Sequence, residues 1–116
     1  MNESSTCPRI NDALVADCDL LAERLRALAH PARLRVLVRL ARQECCPCKD
    51  IVRDLPLAQS TVSQHLKVLV EAGLLYCAPE GQRMHYHIDR EAIAALRQEM
   101  DALFDGLLAM SEQDEP

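Results

Sequence analysis

The stretch from Leu57 to Gly73 constrains this chain most, because it carries two different surfaces on one helical period. Val62, Leu66, Leu69 and Val70 make an apolar inner face, while Ser60, Ser63, Gln64 and Lys67 recur at i, i+3, i+4 and i+7 as a polar outer one. The spacing predicts a helix from Gln59 to Ala72 that stops at Gly73, preceded by a turn over 55–58. The outer stripe is poor in acids and rich in short donors and acceptors, the chemistry that reaches base edges in a major groove. A short helix at Lys49 to Leu55, the turn and this second helix together describe a helix-turn-helix.

Around that unit the pattern is helical with one hairpin. Asn11 to Leu28 places Leu14, Cys18, Leu21, Leu25 and Leu28 on one apolar face. Pro31 is suited to open the next helix, in which Leu34, Leu37, Val38 and Ala41 are the expected apolar stripe. Pro47 marks a third start. Leu74 to Pro79 and Gln82 to Ile88 flank a Glu80-Gly81 turn and read as a β-hairpin, with Arg83 and His85 near its tip. Asp89 to Met110 reads as a last long helix, apolar at Ile93, Leu96, Met100, Leu103, Phe104 and Leu107. The expected fold class is mainly α with a β-hairpin. The expected organisation is a flexible arm at 1–10, one folded domain at 11–110 and a disordered tail at 111–116.

At 116 residues the chain has room for one domain. No apolar run approaches the roughly 18 residues of a membrane span, and the polar start lacks a signal-peptide pattern, so the expectation is a cytoplasmic protein with no membrane partner. With one Phe, two Tyr and no Trp, recognition by stacking bases on aromatic platforms is excluded. The net charge of −5 conceals a sharp partition: −4 over residues 1–23, +6 over 24–67 and −7 over 68–116. A basic middle between acidic flanks suits a protein that turns one face to a phosphate backbone.

The segments Ala27 to Leu37, Asp50-Ile-Val52, Leu57 to Leu69 and Glu71 to Leu75 together resemble the ArsR/SmtB family of metal-responsive winged-helix repressors, over roughly Leu20 to Leu108. The resemblance implies a homodimeric winged helix-turn-helix, with the first and last long helices at the dimer interface. Its partner would be double-stranded operator DNA of palindromic sequence. The matching positions imply DNA contacts from Gln59, Ser60, Thr61, Ser63, Gln64, His65 and Lys67, with Arg83 and His85 from the wing. Where family turns often carry Ser before the Gln that opens the recognition helix, this chain has Ala58, which removes a side-chain cap worth about 1 kcal/mol.

Six cysteines without an export signal point to metal or redox chemistry rather than staples. Cys45, Cys46 and Cys48 fall within four residues. With Pro47 as a first helical residue, Cys46 would cap that helix and Cys48 would lie in its first turn, where the dipole favours thiolate. Soft thiolates select soft ions: arsenite and antimonite as inducers first, then Cd²⁺, Pb²⁺, Cu(I) or Zn²⁺. In the family, thiolate sensors place a Cys-x-Cys pair at this helix; here it sits one residue earlier than the commonest form. Cys7 and Cys18 are possible extra ligands. Cys18 also reads as packing on its apolar face, and Cys77 reads as a structural strand residue. His30 reads as a helix-boundary residue, and the alternating His85 and His87 read as wing or solvent residues rather than ligands. The last helix holds carboxylates without histidine, a poor set for zinc.

The same fold could instead sense persulfide or oxidant by forming a disulfide. A structural zinc is a further reading, countered by apolar stripes that look sufficient for folding. A thiol enzyme is not expected: Cys48 to Arg53 lacks the spacing of an anion-cradling loop, and no catalytic triad, phosphate loop or organic-cofactor motif is present.

Overall fold

The computed structural model describes residues 18–42, 46–47, 51, 53 and 55–114. The expected arm at 1–10, the expected helix start at 11–17 and Cys7, Cys45 and Cys48 lie outside them. The elements are α1 (Cys18–Leu28), α2 (Pro31–Arg42), β1 (Cys46–Pro47), α3 (Gln59–Glu71), β2 (Leu75–Glu80), β3 (Arg83–Ile88) and α4 (Arg90–Asp114). Ile51 and Arg53 are helical, inside the short helix expected between β1 and α3.

Pro31 opens α2, as its fixed φ and missing N–H favour. His30 is the boundary residue: its Nδ1 accepts the Ala32 N–H at 3.1 Å, and its carbonyl accepts the N–H groups of Arg33 and Leu34. The imidazole thus satisfies a helix-start donor that a Ser or Asp would ordinarily cap.

The buried face of α2 is only in part the stripe the spacing selects: of that stripe, Leu37 packs against the core. Ala32, Val36 and Leu40 enter the core, whereas Leu34 and Val38 are 48% and 52% exposed. Apolar residues cover the wider part of this helix, with Arg35, Arg39 and Arg42 on the remaining side, so periodicity alone admits either edge of the apolar face. The packing of α1, α3 and the sheet selects the 32/36/40 face.

Val62, Leu66 and Leu69 of α3 are fully buried beside Val36, Leu40, Ile51 and Leu74, and this cluster is the core. Val70 is half-buried. At its start, Ala58 has φ −67° and ψ 153°, an extended cap geometry, and makes no side-chain cap bond. At its end, the Gly73 N–H donates to Val70 O at 2.9 Å and the Leu74 N–H to Leu69 O at 3.0 Å. That double closure requires a left-handed residue, and Gly73 supplies it at φ +82°. It also directs Leu74 back into the core, at 0% exposure.

The hairpin forms one residue later than expected. Glu80 pairs with Arg83, leaving Gly81-Gln82 as the loop. Gly81, at φ +68°, takes the first loop position, the arrangement of a type II′ turn whose twist suits the strands. A third strand, not expected, completes the sheet in the order β1-β3-β2. Cys46 pairs with Tyr86 and Pro47 with His85. Pro47 therefore lies in a strand and is not the first residue of a helix, so Cys46 is not a helix cap. Proline cannot donate to a ladder, and β1 is an edge strand, where that loss is tolerated.

Asp89 caps α4, its Oδ1 accepting the Ala92 N–H at 3.1 Å. Leu96 is buried, and Ile93, Met100 and Leu103 pack against the core. The helix continues past Met110 to Asp114, through residues expected as a disordered tail. No Gly or Pro falls between Leu107 and Asp114 to stop it. Its distal apolar residues Phe104, Leu107 and Leu108 are half or more exposed.

Candidate functional site

The outer face of α3 presents the polar residues expected to contact DNA. Gln59, Ser60, Thr61, Ser63, Gln64 and Lys67 are all exposed on it, over a buried 62/66/69 row. The alternation follows from the helical period: one stripe fixes the helix to the core and the opposite one is presented to solvent.

His65 differs from its neighbours. It is half-buried, its ring centroid lies 4.4 Å from that of His30, and its Nδ1 accepts a hydrogen bond from Arg33 Nε at 3.3 Å. Arg33 also donates through one terminal nitrogen to the carbonyls of Arg26 and Ala27. One guanidinium therefore joins the end of α1 to the recognition helix. Burial, and then the charges of His30 and Arg33, hold the His65 pKa below the ordinary 6.5. An Nδ1 that accepts from Arg33 is unprotonated, so the geometry and the shift agree. This triad spans residues 30, 33 and 65; no sequence spacing announces it.

On the wing, Arg83 is exposed beside the turn, as expected. His85 is set back from the tip and half-buried. Its Nδ1 lies 3.4 Å from Glu80 Oε1, and His87 Nε2 lies 3.2 Å from Glu80 Oε2. His87 also stacks on Tyr76, with ring centroids 4.9 Å apart and planes within 11°. The two imidazoles bracket one carboxylate. Among the described residues no group of three or more His, Cys, Asp or Glu is arranged to hold a metal ion.

Of the expected thiolate ligands, Cys45 and Cys48 lie outside the described residues, and Cys46 is placed by its backbone in β1. Cys18, read as an apolar-face residue, opens α1 and is exposed. Cys77, read as structural, is exposed in β2. The register puts Cys46, Tyr86 and Cys77 on one row across three strands. Two strand spacings separate the Cys46 and Cys77 backbones by about 10 Å, beyond the roughly 7 Å that a disulfide spans.

A recognition helix on a supporting helical core, followed by a two-residue-loop hairpin and a long closing helix, defines a winged helix-turn-helix DNA-binding protein. Residues 28–76 match the family model described as a helix-turn-helix domain. The chain is 41% identical over 76 residues to HTH-type transcriptional regulator Rv2034 of Mycobacterium tuberculosis, covering 66% of this chain and 70% of that one. It is 30% identical over 83 residues to the arsenical resistance operon repressor of Staphylococcus xylosus, covering 72% and 79%. Among solved structures it is similar to the homodimeric winged helix-turn-helix domain Mb0332 of Mycobacterium bovis, described as a possible ArsR-family regulator. The TM-score there is 0.62 at 30% identity, with 84% and 88% coverage. The chain belongs to the ArsR/SmtB family of DNA-binding transcriptional regulators. Its relatives are named regulators and repressors rather than enzymes. No helix among the described residues is long and apolar enough to cross a membrane.

Proposed function

We propose that this chain is a homodimeric repressor that leaves a palindromic operator when Cys45, Cys46 and Cys48 ligate trivalent arsenic or antimony. The observation that carries the reading is the way the cysteine segment is tethered. On one side Cys46 and Pro47 pair with Tyr86 and His85 in the central wing strand. On the other, Ile51 is fully buried with Val62, Leu66 and Leu69 of the recognition helix. A change in the backbone between these tethers pulls on the wing and on the support of α3 together.

The donor set fits a soft ion: three thiols within four residues match the trigonal preference of arsenic(III). Bound arsenic or antimony would supply a cross-link between thiolates. The protein converts that constraint into strain on β1 and on the helical residues after it. Cd²⁺, Pb²⁺ and Zn²⁺ are the alternative ions, with Cys7 and Cys18 as supplementary ligands. Coupling of about 1–3 kcal/mol, typical of two-site regulation, changes operator affinity 5- to 150-fold. Dimerisation uses α1 and the distal half of α4, where Leu20, Phe104, Leu107 and Leu108 are exposed. The resemblance to an arsenical repressor supports the ion, and the homodimeric structural relative supports the assembly.

X-ray absorption of the arsenite-loaded, reduced protein tests the site. Three sulfur neighbours per arsenic are expected, with loss of that signature in Cys46→Ser and Cys48→Ser. An arsenic with no protein sulfur, or an unchanged spectrum in both variants, would remove the assignment.

A further inference from the structure

We propose a second effector site, for a medium-chain organic carboxylate, in the cavity between α2 and the proximal half of α4. It goes beyond the thiolate reading and does not depend on it. The cavity measures about 440 Å³, within the roughly 300–1,000 Å³ of small-molecule sites. One wall is Leu37, Val38 and Ala41 of α2, where Leu37 packs against the core and Val38 is half exposed. The facing wall is Ile93 and Ala94 of α4, with Arg90 and Arg97.

The arginines give the cavity its sign. Arg90 and Arg97 are the only basic residues in α4, against Glu91, Glu99, Asp101, Asp105, Glu112 and Asp114. Both line this cavity, whose other described lining residues are apolar, and Arg90 also borders a second space beside Asp89 and Glu91. Their i, i+7 spacing sets them on one helix face, two turns or about 10 Å apart. Apolar walls with guanidinium groups along one side match an aliphatic body that ends in a carboxylate, which arginine can grip through two parallel hydrogen bonds.

The position gives such a ligand leverage. The opposite face of α2 carries Val36 and Leu40 into the cluster that holds α3, and Ile88, the last residue of wing strand β3, also lines the cavity. An occupant thus bears on both DNA-contacting elements. The exposed apolar residues Phe104, Leu107 and Leu108 lie further along α4, beyond the residues that line the cavity.

Calorimetric titration of full-length reduced protein with octanoate, octanol and octyltrimethylammonium tests the proposal. One octanoate per chain is expected, with octanol at least tenfold weaker and the ammonium not bound. Arg97→Gln should weaken octanoate at least tenfold. Ala94→Phe, with its helicity checked by circular dichroism, should abolish binding by filling the space. In protein with Cys45, Cys46 and Cys48 replaced by Ser, octanoate should still shift operator affinity at least fivefold, which separates this site from the thiolate one. Absence of saturable octanoate binding, equal binding of octanol, or unchanged operator affinity at saturation would overturn it. A lower oligomeric mass in Ala94→Phe would also overturn it, by assigning the cavity to a second copy of the chain.

Discussion

Arg33 donates through Nε to Nδ1 of His65 at 3.3 Å, joining the second helix to the recognition helix across 32 positions of sequence. The bond needs a neutral imidazole, and burial together with the nearby charges of His30 and Arg33 lowers the His65 pKa. A histidine with a depressed folded pKa is protonated first in the unfolded chain. Its contribution to stability is complete above the unfolded value near 6.5 and is lost as pH falls from there through the lowered folded value. Urea unfolding between pH 7.5 and 5 should therefore show stability decreasing with acidity, and His65→Gln should flatten that slope.

Removing the other partner tests the same junction. Arg33→Ala gives up bonds to His65 and to the carbonyls of Arg26 and Ala27. A loss of about 1–2 kcal/mol is expected for partly exposed, charge-assisted bonds. Chemical denaturation measures the loss. A change under 0.5 kcal/mol would mean the guanidinium is not a tie.

The ends of the recognition helix respond in opposite directions. Ala58 holds an extended cap geometry without a cap bond, so Ala58→Ser should stabilise by about 0.5–1 kcal/mol. Gly73→Ala meets no steric contact, so its cost is the left-handed backbone alone, about 1–2 kcal/mol. Thermal unfolding should show the first variant above the parent and the second below it.

These ends also show why this region was legible from sequence. Gln59 to Gly73 was bounded to within a residue because one face must be apolar and glycine alone takes φ +82° cheaply. The hairpin shifted by one residue because a glycine can serve either position of a two-residue loop. The α2 face was misassigned in part because Leu34 and Val38 repeat as regularly as Val36 and Leu40. Strand β1 was missed because two residues beginning with Cys46 carry no strand period, and their pairing comes from β3. The Arg33–His65 tie and the Glu80 bracket are contacts between segments, which composition and spacing do not encode.

On the recognition face, the two long polar side chains should separate by kind. Lys67→Ala should weaken operator binding on all sequences and reduce the salt slope by about one. Gln64→Ala should cost about 1–3 kcal/mol on the operator and little on unrelated DNA. Fluorescence anisotropy across salt concentrations reads both; identical behaviour of the two variants would contradict the assignment.

The distal half of α4 leaves Phe104 and Leu107 about half exposed. Phe104→Glu with Leu107→Glu should halve the mass measured by sedimentation and weaken operator binding by at least tenfold. An unchanged mass would move the dimer interface elsewhere.

The most direct test of the account is operator affinity of the reduced protein, titrated in parallel with arsenite, Cd²⁺, Zn²⁺ and a persulfide donor. Arsenite should lower affinity 5- to 150-fold, and Cys46→Ser or Cys48→Ser should remove that response while leaving binding in its absence intact. Affinity unchanged at saturating arsenite, or release by persulfide alone with reversal by reductant, would contradict the thiolate-ligation mechanism.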